Sequence, residues 1–231
     1  MGAPRRATLP QILNGAELTF AARGFAGTRL EDIARACAIP KANILYYFGS
    51  KEELYHATLS RLLARWLADA DEWLVAERDP REAMEQYIRL KMASSESRPA
   101  ASRLFMQELL SGGHAVRAFL EGDLRAHVSR RADVFRCWQE KGVMTAIDPV
   151  HFMFLLWSMT QAYSDMQVQL EAVLGREALT SSDFETGVAT IMTFVSSVFP
   201  PIARKARARP ERRGRLASGN LLSTTGKISV G

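Results

Sequence analysis

The sequence predicts an all-α protein: an N-terminal three-helix domain containing a helix-turn-helix, followed by a helical bundle. Three observations predict it. No stretch sustains the apolar–polar alternation of a half-buried strand. Apolar residues recur instead at helical spacing, and Gly and Pro punctuate them at regular intervals. Residues 28–51, TRLEDIARACAIPKANILYYFGSK, read as two short helices joined by a tight turn and followed by a third helix start.

Each element has its own signal. Thr8 to Arg23 reads as the first helix, with Ile12, Leu18 and Phe20 among its apolar positions and Gly24 as its C-cap. The second opens at Thr28, where T-R-L-E is a capping box: the Thr28 hydroxyl takes an orphan N–H and Glu31 reaches back. It ends near Cys37, and Lys41 begins a third that closes at Phe48. Ser50 opens a long helix with a second capping box, S-K-E-E, and carries Leu54, Leu59, Leu62, Leu63, Trp66 and Leu67 along it. Further helices read near 81–97, 99–111, 114–141, 149–174 and 181–199, separated by Asp79-Pro80, Arg98-Pro99, Gly112-Gly113, Asp148-Pro149 and Gly175. From Pro200 the pattern dissolves into Arg- and Gly-rich sequence that cannot bury enough surface to order itself. The expected division is residues 1–51 for the helix-turn-helix domain, 52–203 for the effector-binding and dimerisation domain, and 204–231 for a basic tail.

Composition removes several function classes. The two cysteines, Cys37 and Cys137, are far apart, and no two of the four histidines share helical spacing, so neither a disulfide framework nor a metal site is expected. No Gly-rich phosphate loop and no GxSxG elbow occurs, which argues against an enzyme; no catalytic residue and no cofactor is expected. The start MGAPRRATLPQ lacks an apolar h-region. The greasiest stretch, Phe152 to Tyr163, contains Ser158, Thr160 and Gln161 and falls short of the roughly 18–20 residues that span a bilayer. A cytoplasmic protein without membrane contact is expected. Net charge is +5, unevenly placed: seven basic against three acidic residues in 1–51, fifteen against twenty-one in 52–203, eight against one in 204–231. The head is the better nucleic-acid candidate because its charge is joined to a motif. The tail binds DNA non-specifically or is a solvated chain end.

Within residues 28–51, Ile33, Ala34, Ile39, Ile44, Leu45 and Phe48 are spaced to join the two short helices, with Ala34 and Ala38 small at the crossing. Lys41, Asn43, Tyr46 and Tyr47 then point outward. Lysine suits phosphate or guanine, asparagine a base edge, tyrosine hydroxyls phosphate oxygens. Either tyrosine could equally pack the domain. Lys51, in the first turn of the following helix, can reach the DNA backbone, and Thr28 and Arg29 at the start of the second helix form a second phosphate site.

The string resembles the DNA-binding domain of the TetR family of regulators, through Thr28, Ile33, Ala34, Leu45, Tyr46, Phe48, Ser50, Lys51 and Leu54, with Gly24 and Phe25 upstream. The resemblance implies a homodimeric repressor with recognition helices in successive major grooves of a near-palindromic operator DNA. Two residues depart from the pattern. Ala38 replaces the usual turn glycine, at about 1 kcal/mol if the position is left-handed. Pro40 stands where a serine N-cap is common, and proline at a first helical turn is tolerable.

In FMFLLWSMTQAYSDMQVQL, Trp157 and Gln161 lie four residues apart on one helix face. A buried glutamine needs a partner. Either Gln161 bonds a neighbouring helix or the dimer mate, or it meets a ligand with one donor and one acceptor, such as a flat cyclic amide stacked on Trp157. Residues 81–175 resemble the sensor domain of pyrimidine-utilisation regulators within the same family. That implies uracil or thymine as effector, held by residues matching Trp157 and Gln161, with Phe105 and Leu109 as apolar walls. The alternatives are a TetR-type regulator sensing a different planar or apolar molecule, and a ligand carrier that kept only the fold. The rows Phe154, Met166, Leu170 and Val188, Ile191, Phe194, Val195, Val198 serve either a four-helix dimer bundle or the core.

Overall fold

A computed structural model describes residues 9–200. The expected basic tail lies outside the described residues. Every regular element among them is helical: α1 (Leu9–Gly27), α2 (Leu30–Ala36), α3 (Lys41–Phe48), α4 (Lys51–Trp73), α5 (Pro80–Ser97), α6 (Pro99–Leu110), α7 (Arg117–Phe119), a π-helical turn (Leu120–Leu124), α8 (Arg125–Glu140), α9 (Pro149–Asp165), α10 (Gln167–Leu174) and α11 (Ser181–Ser196).

Local chemistry sets most boundaries. Gly24 interrupts α1 with φ 68° and ψ 172°, a conformation closed to side chains with a Cβ, and one further helical turn follows. Ser50 caps α4 by accepting the Glu53 N–H at 3.1 Å. Asp79 and Asp148 cap α5 and α9, each followed by a proline at the first helical position. The predicted helix over 149–174 is two helices, because Met166 leaves the helical region (φ −109°, ψ 23°). The predicted helix over 114–141 is likewise α7, the π-helical turn and α8.

The capping box expected at Thr28 does not form. The Thr28 side chain is 1% exposed, and its hydroxyl donates to the carbonyls of Gly24 (2.8 Å) and Thr19 (3.4 Å). Arg29 caps α2 instead, its backbone N–H donating to Asp32 Oδ2 at 3.2 Å. Leu18, one of the apolar positions of the first helix, is 61% exposed, and Leu45, read as joining the two short helices, is 39% exposed.

Two apolar cores result. One joins α1–α3 and the first half of α4 to α6, through residues such as Ile12, Phe20, Ile33, Ile44, Leu54 and Leu104. The other joins the end of α4 to α5, α8, α9 and α11, around Tyr87, Phe135, Trp138 and Leu156. Helix α4 contributes to both, so a cut after residue 51 falls inside the first core. Helix α1 packs extensively on α6. Polar ties reinforce that contact and join α4 to it: Glu17, buried on α1, takes Arg98 at 2.5 Å before α6 and Arg61 of α4 at 3.4 Å, Gln107 of α6 donates to the Ala21 carbonyl at 3.0 Å, and Tyr55 of α4 donates to Glu108 of α6 at 2.9 Å.

Candidate functional site: an exposed recognition helix and a buried cavity

The turn between α2 and α3 is held by Cys37, Ala38 and Ile39. The Cys37 N–H bonds the Ile33 carbonyl at 2.9 Å and the Ile39 N–H bonds that of Ala34 at 3.0 Å. Ala38 has φ 54°, the only non-glycine residue at positive φ among those described. The left-handed position is therefore real, and alanine occupies it with strain. Pro40 takes the N-cap of α3 with φ −63° and ψ 141°. Gly15 on α1 lets Cys37 approach: a Cβ there would collide with the Cys37 sulfur. Ile33, Ala34, Ile39, Ile44 and Phe48 are buried and orient α3.

The outward face of α3 carries Lys41, Asn43, Tyr46 and Tyr47. Tyr46 is 84% exposed and meets Tyr47 edge-on, ring centres 5.3 Å apart. Lys41 makes a solvent-exposed ion pair with Glu31 at 2.7 Å, and that hydrogen bond holds the Glu31 carboxyl below its usual range. The pair is weak and exchangeable for phosphate. Asn43 is half-buried, and Arg29 is exposed at the start of α2.

Two predicted contacts face inward. The Lys51 ammonium donates to the carbonyls of Phe25 (3.0 Å) and Thr28 (3.1 Å) and sits 4.3 Å above the Phe25 ring. It ties the α1–α2 loop to α4. Thr28 is buried behind that loop, and its N–H points to the Phe25 carbonyl at 3.3 Å.

The second site is a cavity of about 60 Å³, measured as space open to the centre of a water molecule, between α4, α5, α6, α8 and α9. A single water needs about 10–15 Å³ by that measure, so the space suits a small molecule of a few heavy atoms. Trp157, Gln161 and Phe105 all line it, with Trp66, Tyr87, Lys91 and His127. Leu109 does not; one turn beyond Phe105, it packs against the first core. The Trp157 indole N–H donates to the fully buried Tyr87 hydroxyl at 3.1 Å, which fixes its ring. Phe105 meets Trp66 edge-on with ring centres 5.3 Å apart. The Gln161 amide makes no hydrogen bond among the described residues, which removes the neighbouring-helix reading within one chain.

Sequence reasoning missed Lys91 and His127. Lys91 is 5% exposed, 4.6 Å from the Trp66 ring, and burial pushes its ammonium down to about 8 against the pull of Asp69 and Asp165. His127 is 1% exposed, its Nδ1 is 3.4 Å from Asp71 without a hydrogen bond, and burial lowers its pKa. A signal existed: Met84, Ile88, Lys91 and Ser95 share one helical stripe, so Lys91 is a charge on the apolar face of α5.

Elsewhere, Val188, Ile191 and Val195 belong to the core, while Phe154, Leu155 and Phe194 stand 45%, 59% and 68% exposed on α9 and α11. No helix among the described residues is long and apolar enough to cross a membrane.

Comparison with known proteins agrees with this geometry. Residues 12–58 match the model of bacterial regulatory proteins of the tetR family, and residues 59–201 that of the YcdC-like protein C-terminal region. The chain is 44% identical over 167 residues, 71% of it and 77% of the relative, to the HTH-type transcriptional regulator RutR of Escherichia coli. It is 30% identical over 154 residues, 66% of it and 76% of the relative, to the HTH-type transcriptional repressor SCO4008 of Streptomyces coelicolor. The putative transcriptional regulator SCO4942 of Streptomyces coelicolor shares the fold, with TM-score 0.66 at 24% identity over 84% of this chain and 99% of that one.

Proposed function

From the premise that this chain belongs to the TetR family of bacterial regulatory proteins and is a ligand-responsive transcriptional regulator, not an enzyme, we propose that it is a cytoplasmic homodimeric repressor whose effector is a pyrimidine, uracil or thymine. One observation carries the effector reading. Gln161 presents an unsatisfied carbonyl and NH₂ beside the fixed face of Trp157, inside a cavity sized for a small ring. A flat imide offers the matching N–H and C=O, and buried polar groups on both sides are then satisfied. The resemblance of residues 81–175 to pyrimidine-utilisation regulators supports the same class. Tyr87 and Lys91 border the ring, and Phe105 closes it.

On the DNA side, Asn43 reads a base edge and Lys41, Tyr46, Tyr47 and Arg29 hold phosphates of a near-palindromic operator. Thr28 and Lys51 act from behind this surface, by holding the loop that seats α2. Phe154, Leu155 and Phe194 form the patch that a second copy covers, giving a four-helix interface. Calorimetric titration tests the effector: uracil and thymine bind the protein and release it from a short operator duplex. No heat and no thermal shift at millimolar ligand, with operator binding intact, rejects the pyrimidine.

A further inference from the structure

Beside the inner cavity lies a second, larger compartment of about 120 Å³ by the same measure, between α4, α5 and α6. The two share Trp66, Lys91 and Gln161 as a common wall. Their chemistry differs. The inner cavity is lined mostly by large apolar and aromatic side chains; the outer one by Arg65, Lys91, Arg98 and four serines, without a carboxylate among its lining residues.

We propose that this outer compartment binds an oxyanion, carboxylate or phosphate, so that a pyrimidine bearing one binds more tightly than uracil or thymine, which fill the inner cavity alone. The inference rests on the pyrimidine reading of that inner cavity and names what the ring bears.

The donors left unspent support it. Lys91 is buried, yet its ammonium makes no direct ion pair or hydrogen bond among the described residues; it lies 4.6 Å from the centre of the Trp66 ring. Asp69 and Asp165 attract this ammonium only at a distance, so its hydrogen-bonding capacity is unmet and a ligand oxyanion would use it. The Arg65 guanidinium is exposed at the mouth and forms no ion pair among the described residues. Arg98 is held by Glu17, so it adds field more than a free donor. Of the serines, Ser95, Ser97 and Ser102 donate to Thr160, Ala93 and Asp165, while the Ser94 hydroxyl is unspent among the described residues. Asp69 and Asp165 act on Lys91 from α4 and α9, but neither lines the compartment. An ammonium, a guanidinium and a hydroxyl thus converge on a polar space joined directly to the ring site.

The test titrates the full-length protein with uracil, uracil-6-carboxylate and uridine 5′-monophosphate, at low and at high salt. The expected result is at least tenfold tighter binding of one anionic ligand than of uracil at low salt. That advantage shrinks with salt and disappears in Lys91→Gln and weakens in Arg65→Ala, while uracil affinity in Arg65→Ala stays unchanged. A gain for the carboxylate alone assigns a carboxylate to the compartment, and a gain for the monophosphate alone assigns a phosphate. If uracil binds but neither anion gains, or the gain survives both substitutions, the oxyanion site is wrong and the pyrimidine reading stands. If none of the three binds, both fall. Arg65 is exposed, so its variant keeps the test open should Lys91→Gln misfold.

Discussion

The recognition helix and the proposed effector cavity use the same kinds of residue in opposite ways. On α3, lysine, asparagine and tyrosine stand in water around a small core, and the Lys41–Glu31 pair is one that any phosphate can displace. In the cavity, a lysine and a tyrosine are withdrawn from water and a glutamine is half-buried beside them. Tyr87 is spent on Trp157, whereas Lys91 and Gln161 make no hydrogen bond among the described residues. An exposed site recognises by what it adds to a partner; a buried one recognises by what a partner repairs. Effects of substitution should therefore be larger and more selective in the cavity.

Trp157→Ala should produce the largest change: effector affinity falls more than a hundredfold, about 3 kcal/mol, by calorimetry, while operator affinity without effector stays within twofold. Trp157→Phe, which keeps a stacking face, should lose less. Equal losses in both assays would mean that the cavity is a structural core and not a sensor. Arg98→Ala attacks the division itself, because it frees a buried carboxylate between the regions. Thermal unfolding should show a loss of about 2 kcal/mol, below the value for full burial because Arg61 still holds Glu17. The same variant should blunt the operator's response to effector. Asn43→Ala is the mirror of Trp157→Ala: about 1.5 kcal/mol of base discrimination should vanish in a shift assay with effector affinity intact. Smallest is Ala38→Gly, which relieves the left-handed alanine and should raise stability by up to about 1 kcal/mol in a denaturant melt.

How legible each region was follows from the same contrast. The helix-turn-helix showed in the sequence because its determinants are local: Ile33, Ala34, Ile39, Ile44 and Phe48 lie within sixteen positions, and the strained Ala38 stands out against a turn that favours glycine. Trp157 and Gln161 were visible because one helix face holds both. His127 and Tyr87 were not, since what brings them to the cavity is the crossing of α5, α8 and α9, which no single stretch of sequence encodes; Lys91 showed only as a charge on the apolar stripe of α5. Lys51 and Thr28 illustrate the remaining error. Residue type suggested outward donors, but the loop at Gly24 folds back and its carbonyls claim both. Leu45 shows that helical spacing alone does not separate the buried stripe of a short helix from its neighbour.

Helix α4, whose residues enter both cores, bears on how the molecule comes apart. At 1.5 Å per residue its 23 residues run about 34 Å, as a spine with Leu54, Leu59 and Leu62 in one core and Ala70 in the other. Neither core can melt while that spine stays intact and fully packed. Unfolding should be one cooperative event, with amide protection in α1 and α9 lost together. A fragment ending at residue 51 would leave its own floor behind, so the DNA reader is not a detachable module: it borrows its stability from the helix that also walls the sensor.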